Sequence, residues 1–118
     1  MENKRCNSRW QVNSPGSLGL EGVAEELSCT IRDISLKGMC ILTNKALPAE
    51  EILRTAINLS HKSRLNDIEA KITWSRKTEE GNSYGIYFNK IKDVEKNKIY
   101  DFVSSNYPKE IHRVFFGE

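Results

Sequence analysis

The chain has 118 residues, 38% of them apolar and 29% charged, which is the length and balance of one soluble domain with a single core and leaves no room for two. Eighteen Lys and Arg stand against 16 Asp and Glu, and a net charge of +2 is too small to argue for duplex DNA or RNA as a partner. No apolar run approaches the roughly 18 residues that span a bilayer, and the start MENKRCNSRW is followed by no apolar segment of a secretory leader, so a cytoplasmic protein without membrane insertion is expected.

The front of the chain carries Lys4, Arg5 and Arg9 against a lone Glu2. Residues 1–15 read as a short, polar, cationic loop with too little apolar surface to fold alone, suited to a small polyanion. From about residue 16 the pattern has a period of two. SLGLEG is a weak first strand, and Val23 to Glu26 make a turn. LSCTIRDI is a second strand, with Leu27, Cys29 and Ile31 on one face, and GMCIL is a third. After NKALPAEE, Leu53, Thr55, Ile57 and Leu59 alternate with Arg54, Ala56 and Asn58 in a fourth. DIEAKITWS is the clearest: Ile68, Ala70, Ile72 and Trp74 are expected on the core side, Glu69, Lys71, Thr73 and Ser75 on the water side. KTEEGN turns into SYGIYF, a sixth strand with Tyr84, Ile86 and Phe88 together.

At residue 93 the period changes. Asp93 is placed as an N-cap and Glu95 in the first turn, and Ile99, Phe102 and Val103 form the apolar stripe of a helix over 93–106 that stops before Pro108. The expected fold is all-β: six antiparallel strands over 16–90 curled into a barrel, with one C-terminal helix covering an open end or edge. The tail over 108–118 contains Val114, Phe115 and Phe116, which either pack back on the barrel or form a patch for a homo-oligomer or an effector protein. Cys6, Cys29 and Cys40 are odd in number and lack C-x-x-C spacing, and His61 and His112 lie far apart, so neither a disulfide framework nor a metal site is expected.

Within TIRDISLKGMCIL an acid, a hydroxyl and a glycine interrupt two apolar strands. Asp33 and Ser35 serve equally to hydrogen-bond a tight turn whose Gly38 supplies a positive φ, or to present a carboxylate and a hydroxyl outward beside a glycine that lets a flat ligand approach the backbone. The spacing Arg5-x-x-x-Arg9 is weak alone, but it precedes Asp33-x-Ser35-x-x-Gly38. Two further stretches follow in order, AKITW from Ala70 to Trp74 and YGIYF from Tyr84 to Phe88, before the C-terminal helix.

This arrangement resembles the PilZ family, bacterial receptor domains for the second messenger cyclic di-GMP, over nearly the whole chain. The resemblance implies a six-stranded antiparallel barrel with a C-terminal helix, a ligand and no cofactor, and no catalysis. It also implies a site in which Arg5 and Arg9 clamp guanines and phosphates while Asp33, Ser35 and Gly38 hold a guanine on the barrel. Lys4 is either a third positive charge at that site or a solvated lysine. Trp10 either stacks on a base or anchors the loop. An arginine fork matches guanine O6/N7 or a phosphate bidentately, and a carboxylate matches the N1/N2 donors of guanine, so the residue types suit the ligand. Ordering of the arginine loop on binding would be the signal read by an effector protein. Two other classes compete: an adaptor of the same fold that needs no nucleotide, and a small barrel binding single-stranded nucleic acid, which would need aromatic platforms on an exposed sheet face. No nucleophile elbow, metalloprotease motif or phosphate-cradling glycine loop supports an enzyme.

Overall fold

Alternation at a period of two becomes curvature once the apolar sides of six strands turn toward one another. The computed structural model describes residues 9–47 and 52–115, with side chains to 112. Its elements are β1 (Trp10–Leu20), β2 (Leu27–Ile34), β3 (Gly38–Thr43), β4 (Ile52–Ser60), β5 (Ser63–Thr78), β6 (Gly81–Lys90), α1 (Asp93–Asn106) and α2 (Pro108–Phe115). The strands close into an antiparallel barrel in the order β1-β2-β3-β6-β5-β4, with β4 returning to β1. Closure leaves the sheet without edges, and bulges in most of the strand pairs bend the ladder around. Inside lie Ile31, Ile34, Met39, Ile41, Ile57, Leu59, Leu65, Ile68 and Ile72, all nearly inaccessible. Among the described residues, no helix is long and apolar enough to cross a membrane.

The first strand starts at Trp10, well before the weak strand expected from Ser17, so residues 10–15 belong to the sheet and not to a loop. The mostly polar run QVNSPGS hides this because a bulge between Gln11 and Ser14, with Asn13 at φ 46°, breaks the alternation. Arg5, Lys4 and Cys6, and with them the expected mobility of residues 1–8, lie outside the described residues.

Helix α1 packs Ile99, Phe102 and Val103 into the core as expected, but its entry differs. Lys92, in extended backbone, is the N-cap and contributes no side-chain bond, so Asp93 is the first helical residue and not the cap. The tie to the barrel comes from Glu95. It is buried, its carboxylate accepts from the Asn66 amide at 3.0 Å, and Lys98 pairs with it at 3.1 Å, fixing the first turn of α1 to β5. The expected tail is a second helix for most of its length. Pro108 opens α2, where its missing N–H costs nothing. Glu110 accepts from the Gln11 amide at 2.9 Å and Ile111 packs against the core, which docks α2 on β1. The side chains of Val114, Phe115 and Phe116 lie outside the described set.

Asp67 joins three elements. It sits on β5 at φ 58°, and its two carboxylate oxygens meet Arg54 of β4 at 2.8 Å and Lys92 before α1 at 3.4 Å. The Arg54 hydrogen bond, then that of Lys92, hold its carboxyl below the usual 3.8. A carboxyl lowered in the folded state adds stability above its unfolded pKa, and that stability is lost as pH falls through the folded value. Asn tolerates the same left-handed backbone, so Asp67→Asn isolates the charge. In urea denaturation the wild type is expected to exceed Asp67→Asn in stability at neutral pH, with the gap closing below about pH 4. A gap independent of pH would remove this ion-pair hub from the account.

Candidate functional site

The turn from β2 into β3 is built by one hydroxyl. Ser35 is buried, its Oγ accepts from the amides of Lys37 at 3.1 Å and Gly38 at 3.2 Å, and it donates to the Gly38 carbonyl at 3.3 Å. With one donor and two acceptor lone pairs, the hydroxyl is fully used by the turn. The Ser35 amide donates to the Gly38 carbonyl at 2.8 Å, and the Phe88 amide to the Lys37 carbonyl at 2.8 Å, stitching the turn to β6. Ser35 therefore fixes the shape of the β2–β3 turn.

Of the two uses expected of Gly38, the positive φ in the turn is not the one it has. Its φ is not positive; among the described glycines only Gly22 and Gly81 are in that region. A Cβ at Gly38 would instead fall on the carbonyl oxygen of Ile86, because β3 and β6 press together there. The glycine serves strand approach, and the atom it omits points at β6.

Asp33 stands at the end of β2 opposite Gln11, which places the start of β1 beside it. Arg9 Nη1 reaches Asp33 Oδ1 at 2.8 Å, with the carboxylate side chain 17% exposed and the arginine about half exposed. The second arginine of the sequence motif and the acid of the other motif are thus already in contact. Trp10, next in the chain, turns inward: it is 3% exposed and meets Tyr100 of α1 edge to face at 6.4 Å between ring centroids. Its burial fixes where Arg9 emerges.

Trp74 reverses expectation. It was placed on the core side of β5 with Ile68, Ala70 and Ile72, yet it is 41% exposed. A bulge between Ile72 and Trp74 inserts one residue into the β5–β6 pairing, so Trp74 pairs with Gly85 and leaves the inward phase. Its indole lies against the bare Cα of Gly85, where a Cβ would collide with the ring. The guanidinium of Arg76 is 5.8 Å from the ring centroid, within cation–π range. Tyr84 and Phe88 are buried as expected, while Tyr87 points outward, half exposed.

These groups converge on a cleft of about 180 Å³ lined by Arg9, Ser35, Lys37, Gly38, Thr73 and Trp74, with Gly85 to Tyr87 of β6 as its floor. It offers a cation held by an acid, an aromatic plane and a second cation, Lys37. Such a set is chemically suited to a flat, hydrogen-bonding anion. Among the described residues no group of His, Cys, Asp and Glu is disposed to hold a metal. Cys29 is buried, which pushes its thiol up to about 11 and leaves it unreactive, and Cys40 is half-buried.

A closed six-stranded antiparallel barrel capped by C-terminal helices, with this cleft on its outer wall, defines the class. The family model "PilZ domain" matches residues 3–105, and the chain belongs to that family. Among solved structures, the crystal structure of YcgR from Escherichia coli in complex with c-di-GMP matches with a TM-score of 0.67 and 13% identity, over 90% of this chain and 48% of that one. The chain therefore spans about half the length of that YcgR chain. The PilZ domain of YcgR with c-di-GMP, also from Escherichia coli, matches with a TM-score of 0.60 and 15% identity, over 93% and 95% of the two chains. No curated protein matches the sequence.

The approach of β3 to β6 at Gly38 predicts a stability cost. Gly38→Ala is expected to lose about 1–3 kcal/mol, because the new methyl meets backbone and not a movable side chain. Urea unfolding measures it, and a variant as stable as the wild type would show that the two strands are not so close.

Proposed function

We propose that the chain is a cyclic di-GMP receptor, in which Arg9, Asp33 and Trp74 contact the nucleotide and Ser35 and Gly38 shape the turn beneath it. The observation that carries this reading is the Arg9–Asp33 pair at the mouth of a cleft walled by an exposed indole, on a PilZ barrel. The two YcgR structures, both with c-di-GMP, support the choice of ligand.

Each group has a task that its chemistry allows. Asp33 complements the N1 and N2 donors of one guanine, which adenine does not offer in that pattern, so cyclic di-AMP leaves a carboxylate facing an acceptor. Arg9, released from Asp33 as the guanine arrives, turns its fork to a phosphate or to O6/N7. Trp74 gives a base a plane to stack on, with the base taking the place of Arg76 over the ring. Arg5 and Lys4 complete the cationic front of the site. The exchange of Arg9 from protein carboxylate to ligand draws the N-terminal segment onto the barrel, and an effector protein reads that change. A cytoplasmic location follows from the ligand, an intracellular messenger.

The outward Trp74 and Tyr87 supply the exposed aromatics that a single-stranded nucleic-acid binder requires, so the test includes that class. Isothermal titration with cyclic di-GMP is expected to show binding that Arg9→Ala, Asp33→Ala and Trp74→Ala each weaken by about 1–3 kcal/mol, roughly tenfold to a hundredfold. Cyclic di-AMP and a short guanine-containing oligonucleotide are expected to bind far more weakly. Equal affinity for the oligonucleotide, or wild-type affinity in all three variants, would overturn the assignment.

A further inference from the structure

A second cleft of about 560 Å³ adjoins the first and shares Lys37 and Tyr87 with it. Its lining holds five basic residues, Lys37, Arg54, Lys90, Lys92 and Lys96, against two acids, Asp67 and Glu69. That local excess of +3 exceeds the +2 of the whole chain, so this cleft is distinctly cationic. Arg54 and Lys92 are engaged by Asp67, and Lys96 is 3.9 Å from the fully exposed Asp93. Lys37 and Lys90 form no ion pair among the described residues.

The same surface is apolar between its cations. Leu36 is 38% exposed and Tyr87 49%, and Ile91 is half-buried at the cleft wall. Beyond it, the outer face of the barrel runs across one register row from Tyr87 to Lys71 to Ile52, the last 61% exposed. Exposed apolar residues interleaved with lysines do not suit a bare polyanion, which gains nothing from Leu36 or Ile52 and is repelled by Asp67 and Glu69. They suit a protein segment in which carboxylates alternate with apolar side chains.

We propose that this face of β4, β5 and β6 is the docking surface for a partner protein, and that the partner presents an acidic, amphipathic segment to it. The apolar residues supply the buried centre and Lys37, Lys90 and Lys96 the charged rim that selects the partner. The surface stands independently of the nucleotide reading. Its sharing of Lys37 and Tyr87 with the first cleft places partner and ligand in contact with the same two side chains.

The probe is a fluorescein-labelled synthetic peptide in which Glu and Asp alternate with Leu and Phe, compared by anisotropy with a counterpart carrying Lys at every acidic position. The acidic peptide is expected to bind and the basic one not. Raising NaCl from about 50 mM to about 300 mM is expected to weaken it severalfold. The double variant Lys90→Glu/Lys96→Glu is expected to lose about tenfold or more. Leu36→Ser is expected to lose affinity without changing the salt dependence. Thermal melting and nucleotide titration of the same samples, both expected to match wild type for the lysine variant, separate a docking defect from misfolding and from failure of the nucleotide reading. Equal binding of the two peptides, or no loss in either variant, overturns the proposal. So does retention on phosphatidylglycerol vesicles through these lysines with no binding of the acidic peptide, which would make the surface a membrane contact.

Discussion

The geometry of the cleft depends on how closely β3 is pressed to β6. Gly38 lies against the Ile86 carbonyl with no room for a side chain, and the Lys37 carbonyl accepts from Phe88. That contact fixes the β2–β3 turn, Ser35 locks its shape with three hydrogen bonds, and Asp33 is thereby held at a defined height on the barrel wall. On the other side of β6, Gly85 gives up its side chain so that Trp74 can lie against the strand. Two glycines on neighbouring strands therefore set the depth of one cleft. Arg9 is brought to it from the far side by the burial of Trp10 in the core.

Much of this was legible in the chain. The second, fourth and sixth strands follow from strict alternation, because a half-buried strand imposes it on Leu27, Cys29 and Ile31, on Thr55, Ile57 and Leu59, and on Tyr84, Ile86 and Phe88. The stripe of Ile99, Phe102 and Val103 gave the first helix. The two errors of strand phase have a common physical cause: bulges. The one in β1 hid a strand start behind Asn13, and the one before Trp74 moved an aromatic from the core face to the outer wall. A single-sequence pattern assumes uninterrupted phase, and one inserted residue inverts everything after it. A clue existed in the polar run Ser75 to Thr78 directly after Trp74, which fits a strand leaving the core, and in Gly85, whose missing side chain a cross-strand ring could fill. Neither is readable without the register that pairs them.

The ion pair of Asp33 with Arg9 brings the two short motifs into contact. The acid is kept beside its cation at the mouth of the cleft, and a ligand able to replace that cation on the carboxylate while engaging the guanidinium elsewhere exchanges partners without stranding a charge. On the proposed reading, selectivity for a guanine edge and movement of the N-terminal segment would be two consequences of one exchange. The cationic cleft that adjoins this site is the surface we propose for a protein partner.

The most direct measurement is a crystal structure of the chain with cyclic di-GMP. The account predicts a base stacked on Trp74, a guanine edge on Asp33, and Arg9 moved from the Asp33 carboxylate onto the nucleotide. A nucleotide bound away from this cleft, with the Arg9–Asp33 pair intact, would contradict it.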